Sequence, residues 1–191
     1  APNADAILLY VGRVTAAKGV GELIDAFPEI KKHYANENKG KRLELVIVGP
    51  FDEYTKGFGK TEITKRVARS AKDSVHFLGE FGTSANEQAE LSALYKTADW
   101  HILPTKHDSF PGVTLEAMMQ GTPTIATAVD GLKSMIKHKE TGTHIIPKSM
   151  RSEDLTQGIV DVMQYVIGNP NEVKAAAKRA QTEAQTKYQW G

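Results

Sequence analysis

Short apolar runs alternate with longer amphipathic stretches along the whole chain. Apolar runs of about four to eight residues predict buried strands, whereas apolar residues that recur every three or four positions predict helices. The predicted strands span residues 7–11, 43–49, 75–78, 100–103, 122–127 and 143–146. The predicted helices span residues 20–34, 61–71, 87–97, 113–120, 132–138, 152–167 and 171–187, with a kink expected at Pro28.

This alternation of mostly apolar strands with helices indicates a parallel sheet that is covered on both faces. The right-handed crossover rule then makes a doubly wound, Rossmann-like α/β sheet the predicted architecture. Such sheets bind ligands at the carboxyl ends of their strands, where loops lead into helix N-termini. We therefore expect function in the loops that follow Val11, Gly49, Leu78, Leu103 and Thr127.

Composition narrows the possible classes of protein. The 191 residues are enough for one ordinary domain, and 24 Lys and Arg against 23 Asp and Glu give no electrostatic reason to bind nucleic acid or anionic lipid. The chain has no cysteine, which excludes disulfide scaffolds, thiolate zinc sites and cysteine nucleophiles. No apolar run is long enough to predict a membrane-spanning helix. Because the sequence starts at Ala1 rather than Met, we expect a fragment of a longer protein.

The loop after the first strand places Arg13 and Lys18 between two glycines, Gly12 and Gly19. An arginine offers a planar fork for phosphate oxygens, a lysine offers a mobile point charge, and the glycines permit close backbone approach. The loop therefore predicts a phosphate-binding site. The alternative is that both cations are solvated surface charges.

A second candidate segment follows the fourth strand and contains Asp108 and Glu116. Glu116 is a lone carboxylate in a small, apolar helix, so we expect it to be buried and to need polar partners such as the two vicinal hydroxyls of a ribose. Simple stabilisation of the helix dipole is the alternative. The backbone amides of Gly112, Val113 and Thr114, at the start of this helix, are expected to be free to hold an anion.

Two other patterns favour no site. The Gly-Lys-Thr triplet at 59–61 is similar to a phosphate-binding P-loop, but Tyr54 stands where the first glycine is required and the preceding strand ends far upstream. His101 falls in a strand and His107 lies beside Asp108, at the expected cleft, but the histidines lack the spacing of a metal site. No metal is therefore predicted.

An ordered set of motifs gives the chain a resemblance that runs from about Ile7 to about Trp190. The motifs are Val11-Gly12-Arg13 with Lys18-Gly19, residues 45–49, residues 75–79, residues 95–99 with Pro104-Thr105, Asp108 and Glu116 separated by seven residues, and Gly121-Thr122-Pro123. In this order they resemble the C-terminal, nucleotide-sugar-binding domain of retaining glycosyltransferases with the GT-B fold, in the large fourth family. Two positions depart from the family pattern: Asp108 stands for the family's first Glu, and Pro50-Phe51-Asp52 replaces a Gly-rich continuation.

The resemblance implies a role for each matched residue. Arg13 and Lys18 would bind the donor diphosphate and stabilise the leaving group, Asp108 would contact the donor sugar, and these three would form the catalytic set. Glu116 would bind the ribose hydroxyls. The implied donor-binding residues are Gly12, Arg13, Lys18, Gly49, Phe81, Asp108, Phe110, Pro111, Gly112, Val113, Thr114 and Glu116.

The resemblance also implies the reaction. Residues 1–191 would be one half of a hexosyltransferase that moves a sugar from a nucleotide diphosphate sugar, such as a UDP-sugar, to a hydroxyl acceptor with retention, as in polysaccharide biosynthesis. The acceptor would be bound by a missing N-terminal domain, so this fragment alone would be inactive. No cofactor, obligatory metal or nucleic acid is implied, and the full-length protein would be cytoplasmic or peripheral to the inner face of the membrane. A non-hydrolysing sugar-nucleotide epimerase, a non-catalytic nucleotide-binding module and a P-loop-like nucleotidase stay open as alternatives.

Overall fold

The computed structural model describes residues 4–71, 73–109 and 111–188, so Trp190 lies outside the described residues. Its strands are β1 (Ala6–Val11), β2 (Leu43–Val48), β3 (Val75–Gly79), β4 (Trp100–Leu103), β5 (Thr124–Thr127) and β6 (Thr143–Ile145). Its α-helices are α1 (Val20–Glu37), α2 (Lys60–Ser70), α3 (Ala85–Thr97), α4 (Gly112–Met119), α5 (Asp130–Met135), α6 (Ser152–Gly168) and α7 (Pro170–Lys187). All six predicted strands and all seven predicted helices occur in the predicted order, but several bounds differ: β5 starts at Thr124 instead of 122, α3 starts at Ala85 instead of 87, and α5 spans Asp130–Met135 instead of 132–138. The structure adds a short 3-10 turn at Ala16–Lys18.

The six strands form one sheet in the order β3-β2-β1-β4-β5-β6. Each neighbouring pair is parallel. The predicted doubly wound α/β architecture is therefore confirmed. The chain builds outward from β1 to β3 and then crosses back to β4, so the sheet has its switch point between β1 and β4. Ligands of doubly wound sheets bind in the crevice at such a point.

Both faces of the sheet are packed, as the apolar strands predicted. Alternate β1 residues serve the two sides: Leu8 and Tyr10 join the larger core with α1, α2 and α6, and Leu9 and Val11 join a smaller core with Leu91 and other residues under α3 and α4. A central parallel strand needs apolar side chains on both faces because helices cover each of them. β1 is thereby fixed on both sides, and its carboxyl end is a rigid support for the loop that follows.

Helix α1 shows how the amphipathic pattern is used. Its apolar residues Leu23, Ile24, Phe27 and Ile30 are fully buried, while most of its charged residues are partly or fully exposed; Glu22, in the first turn, is the buried exception. The helix is continuous from Val20 to Glu37 with Pro28 inside it, although a proline supplies no backbone N–H to the turn before it. Burial of this apolar face outweighs that loss, and the helix starts directly beside the switch point.

Candidate functional site

The loops after β1 and β2 approach each other closely at their glycines. The N–H of Gly12 donates to the carbonyl of Val48 at 2.9 Å, and the N–H of Val14 donates to that of Pro50 at 2.9 Å. Gly49 has φ +135°, and a Cβ there would lie 2.0 Å from the carbonyl oxygen of Gly12. A side chain at Gly49 is therefore sterically excluded. The predicted donor-binding glycines Gly12 and Gly49 lie together, and their contact fixes the backbone that carries Arg13.

The loop after β1 is also fixed to the loop after β4. Gly19 has φ +68°, and a Cβ there would lie 2.1 Å from the carbonyl oxygen of Pro104. The carbonyl of Ala17 accepts from the N–H of Lys106 at 2.8 Å and from the hydroxyl of Thr105 at 3.2 Å. These contacts hold the 3-10 turn against residues 104–106 across the switch point.

Lys18 and Asp108 form an ion pair between these two loops. Their side chains are 21% and 14% exposed, so the pair is largely withdrawn from water. A withdrawn pair is more strongly coupled than a surface pair because solvent screens it less. The structure thus brings together a predicted phosphate-binding cation and the predicted sugar-binding acid, although Lys18 is not a free cation.

A second ion pair joins the same two regions. The Nζ of Lys106 lies 2.7 Å from the Oε1 of Glu22, whose side chain is 6% exposed in the first turn of α1. A nearly buried carboxylate needs a partner to offset its desolvation. Lys106 immediately precedes the segment that holds Asp108, so this pair anchors that segment to α1.

Arg13 projects from the same loop in a different way. Its side chain is exposed, and its guanidinium makes no hydrogen bond or ion pair with any described residue. Its backbone is fixed, since the hydroxyl of Tyr10 donates to the Arg13 carbonyl at 2.7 Å. Burial raises the pKa of Tyr10 far above its usual value, the charge of Arg13 opposes this rise, and the charge of Asp108 adds to it. The Tyr10 phenol therefore stays protonated, and Arg13 is an available cation on a rigid backbone.

Helix α4 begins at Gly112, four residues after Asp108. No described residue accepts a hydrogen bond from the N–H of Gly112 or Val113. The prediction that the backbone N–H of Thr114 is free to bind an anion is wrong, because this N–H donates to the carbonyl of Pro111 at 3.0 Å in a tight first turn. Of the three amides predicted to be free, those of Gly112 and Val113 are therefore available to an anion. Phe110, also predicted as a donor-binding residue, lies outside the described residues.

Residue Asp130, at the start of α5, holds the segment before α4. Its carboxylate pairs with the ring of His107 and accepts from the backbone N–H of Asp108 at 3.3 Å. His107 thus lies beside Asp108 and helps to hold the loop. The backbone of Asp130 is in the left-handed region, at φ +37°, which nothing in the sequence pattern indicated.

The prediction that Glu116 is buried is wrong, because its side chain is exposed on α4. The buried residues of the helix are Thr114, Leu115, Ala117 and Met118. The side chain of Glu116 lies on the more exposed side of the helix, next to α3. There its Oε2 accepts from the hydroxyl of Tyr95 at 3.0 Å. The two residues line a cavity of about 240 Å³ between α3 and α4.

The predicted donor-binding residue Phe81 is half-buried and packs against the smaller core. It lines a different cavity, of about 480 Å³, together with Leu78 and the α3 residues Glu90, Ala93, Leu94 and Thr97. The structure therefore separates Phe81 from the cavity at Glu116, although both border α3.

The P-loop alternative can be compared with this geometry. Lys60 is the first residue of α2, and its backbone N–H donates to the Oε1 of Glu53 at 3.1 Å; a carboxylate there does not fit a P-loop, whose amides receive phosphate. Among the described residues no group of three or more His, Asp or Glu is arranged to hold a metal. Within the same ranges, no helix combines the length and apolarity needed to cross a bilayer.

Fold and site together define a Rossmann-like α/β domain with a cluster of polar, cation-bearing loops at its switch point. The sequence model of the glycosyl transferases group 1 family matches residues 1–183. The chain therefore belongs to this family, and its six-stranded parallel sheet is that of the GT-B enzymes.

Known proteins agree with this placement. The chain is 30% identical to an uncharacterized glycosyltransferase of Methanocaldococcus jannaschii, over 96% of this chain and 41% of that protein. Anabaena HepE in complex with UDP has the same fold, with a TM-score of 0.76 and 20% identity over 97% of this chain and 45% of HepE. The C-terminal domain of the Francisella tularensis group 1 protein LpcC is similar, with a TM-score of 0.76 and 23% identity over 97% of this chain and 87% of that domain. The chain thus spans less than half the length of the first two proteins.

Proposed function

We propose that this chain is the donor-binding domain of a retaining glycosyltransferase that takes a nucleotide diphosphate sugar. The observation that carries the proposal is the cluster at the switch point: the Lys18–Asp108 pair, the available cation Arg13, and two backbone amides of α4 with no described acceptor. Family membership supports the class of reaction. The UDP complex of Anabaena HepE supports a uridine donor.

The diphosphate would be held by cations and by a helix N-terminus. Arg13 offers a fork to phosphate oxygens, Lys18 offers a second positive charge, and the N–H groups of Gly112 and Val113 add partial positive charge. When the bond between the anomeric carbon and the phosphate oxygen breaks, its electron pair goes to the diphosphate. Fixed positive groups stabilise that developing charge without a metal.

The sugar and the ribose would bind on either side of the diphosphate. Asp108 accepts hydrogen bonds, so it can receive donor-sugar hydroxyls while it keeps Lys18 in place. Glu116 is exposed one turn into α4, where a carboxylate can accept from the two ribose hydroxyls. Transfer to an acceptor hydroxyl would require a second domain, so we expect this chain alone to bind the donor and to transfer little sugar.

Calorimetry in buffer with EDTA tests this proposal. We expect the chain to bind one of UDP, GDP or ADP, and Arg13→Ala to weaken that binding by about 1.5–3 kcal/mol because a charge-assisted hydrogen bond is lost. Arg69→Ala is the matched control, since Arg69 is an exposed arginine at the C-terminal end of α2, away from the cleft. Lys60→Ala should bind normally, whereas a P-loop nucleotidase would lose its nucleotide.

A folded protein that binds none of the three nucleotides would contradict the proposal. If Arg13→Ala and Arg69→Ala changed the affinity equally, the role of Arg13 would be contradicted, but the proposed function would not.

A further inference from the structure

The side chain of Glu116, on α4, is hydrogen-bonded to the phenol of Tyr95, on α3. The phenol of Tyr95 donates to the Oε2 of Glu116 at 3.0 Å across the groove between α3 and α4. We infer that Tyr95 is a positioning residue: it orients the Glu116 carboxylate toward the two ribose hydroxyls of the donor, so that the chain distinguishes ribonucleotides from 2′-deoxyribonucleotides. This inference rests on the proposed function, because it assigns a ribose to the cleft.

Tyr95 is held rigidly from several sides. It is 2% exposed and belongs to the smaller core beside Leu91 and Ala117. Its ring stands edge-on to that of the buried His101, with 5.7 Å between ring centroids. Its backbone carbonyl accepts from the hydroxyl of Thr122 at 2.7 Å. A side chain fixed by packing and a second hydrogen bond can hold its partner in one orientation.

The direction of the hydrogen bond is fixed as well. Burial raises the pKa of the Tyr95 phenol far above its ordinary value, and the negative charge of Glu116 raises it further. The phenol therefore keeps its proton and donates, and an ionised carboxylate can only accept.

The carboxylate keeps capacity for a ligand. Among the described residues, no other side chain forms a hydrogen bond or ion pair with Glu116. Its Oε1 and its remaining lone pairs can accept two further hydrogen bonds. A ribose presents its 2′ and 3′ hydroxyls as two neighbouring donors, whereas a 2′-deoxyribose presents one.

The adjoining space suits part of a nucleotide. The cavity of about 240 Å³ is lined by Gln88, Leu91 and Ser92 of α3 and by Glu116 and Met119 of α4. Complete small-molecule sites usually enclose about 300–1,000 Å³, so this cavity accommodates a fragment such as a ribose. Leu91 and Met119 can contact its carbon atoms, while Glu116 takes its hydroxyls.

A purely structural role for Tyr95 makes a different prediction. If the hydrogen bond only stabilised the packing of α3 on α4, its loss would change the free energy of unfolding and would change the affinities for ribo- and deoxyribonucleotides equally. A positioning role changes their ratio.

The test is a double-mutant cycle measured by calorimetry with UDP and 2′-deoxy-UDP. The proteins are the unaltered chain, Tyr95→Phe, Glu116→Ala and the double variant. We expect the unaltered chain to prefer UDP, and Tyr95→Phe to weaken UDP binding about three- to tenfold while 2′-deoxy-UDP binding changes by less than about twofold. In the Glu116→Ala background, Tyr95→Phe should have no further effect on the ratio, because its partner is already absent.

Tyr165→Phe is the matched control. The phenol of Tyr165 also donates to a glutamate, to the Oε2 of Glu172 at 2.9 Å, but between α6 and α7. It should leave both affinities unchanged. Tyr95→Phe keeps the aromatic ring, so the packing around residue 95 should be preserved. If Tyr95→Phe nevertheless does not fold, Glu116→Asp provides the second test, because the shorter side chain withdraws the carboxylate from the phenol by one methylene. An unchanged preference in Glu116→Asp would then overturn the inference.

The same measurements distinguish failure of the proposed function from failure of the role assigned to Tyr95. If the unaltered, folded chain binds neither nucleotide, the proposed function fails and the inference falls with it. If the chain binds UDP but Tyr95→Phe leaves the ratio of affinities unchanged, the role of Tyr95 is overturned and the proposed function stands.

Discussion

His101 should make the stability of this domain fall steeply in mild acid. The residue lies in β4 with no exposed surface, and neither ring nitrogen has a hydrogen-bond partner among the described residues. Burial lowers its pKa from 6.5 to about 3. In the folded protein the ring is therefore neutral throughout the mildly acidic range, because a proton there would place an unpaired charge in the smaller core beside Tyr95.

The sign and size of the effect follow from proton linkage. Below pH 6.5 the unfolded chain binds a proton at His101 and the folded chain does not, so acid favours unfolding. The free energy of unfolding should fall by about 1.36 kcal/mol per pH unit over this window. Between pH 7.5 and pH 5.0 the loss is about 2 kcal/mol, which corresponds to about 4–8 °C in Tm for a domain of this size.

Urea unfolding at pH 7.5, 6.5, 5.5 and 5.0 measures this loss, with His101→Leu as the variant. The pKa values of His138 and His144 are also lowered, chiefly by burial, but both histidines remain in the variant and cancel in the comparison. His33→Gln is the control, since His33 is half-buried on α1 and lies outside the two hydrophobic cores; it should follow the unaltered chain. If His101→Leu and the unaltered chain lost the same free energy of unfolding within about 0.5 kcal/mol, the assignment of a buried neutral histidine would be refuted.

Three further changes test the site. Asp108→Asn should release Lys18 from its ion pair, so UDP should bind about two- to fivefold more tightly while any advantage of UDP-glucose over UDP disappears in calorimetry. Gly49→Ala places a Cβ 2.0 Å from a carbonyl oxygen and should lower the free energy of unfolding, measured by urea titration, by about 2–4 kcal/mol. Gly40 also has a positive φ, +79°, but open space around it, so Gly40→Ala should cost about 1 kcal/mol. Lys106→Met leaves Glu22 nearly buried without its ion-pair partner and should cost about 1–3 kcal/mol, which a second change, Glu22→Met, should largely restore.

The strands and helices could be predicted because local pattern determines them. Strand β2 is buried along its whole length, and all of its residues except Glu44 are apolar; a nearly continuous apolar run is typical of a parallel sheet with helices on each side. The crossover rule then predicted a doubly wound sheet, and ligand binding at the carboxyl ends of its strands predicted five candidate loops. The strand order, which places β1 beside β4, was not predicted; it shows that the loops after Val11 and Leu103 are two of those five that lie together.

The partners within the site could not be predicted, because they depend on contacts between distant segments. Lys18 and Asp108 are 90 residues apart, and two charged residues in separate loops do not reveal that they pair. Glu116 was misassigned for a related reason: a lone carboxylate among apolar residues has the same sequence pattern whether its helix is fully buried or keeps one exposed strip. The tight turn that occupies the N–H of Thr114 depends on backbone geometry at Pro111, which side-chain patterns do not describe.

A crystal structure of this chain with UDP-glucose, grown without divalent metal, would show where the diphosphate binds. We expect the diphosphate to lie within hydrogen-bond distance of Arg13, Lys18 and the backbone amides of Gly112 and Val113. A diphosphate bound at another edge of the sheet, with Arg13 directed into solvent and Lys18 still paired only with Asp108, would contradict this expectation.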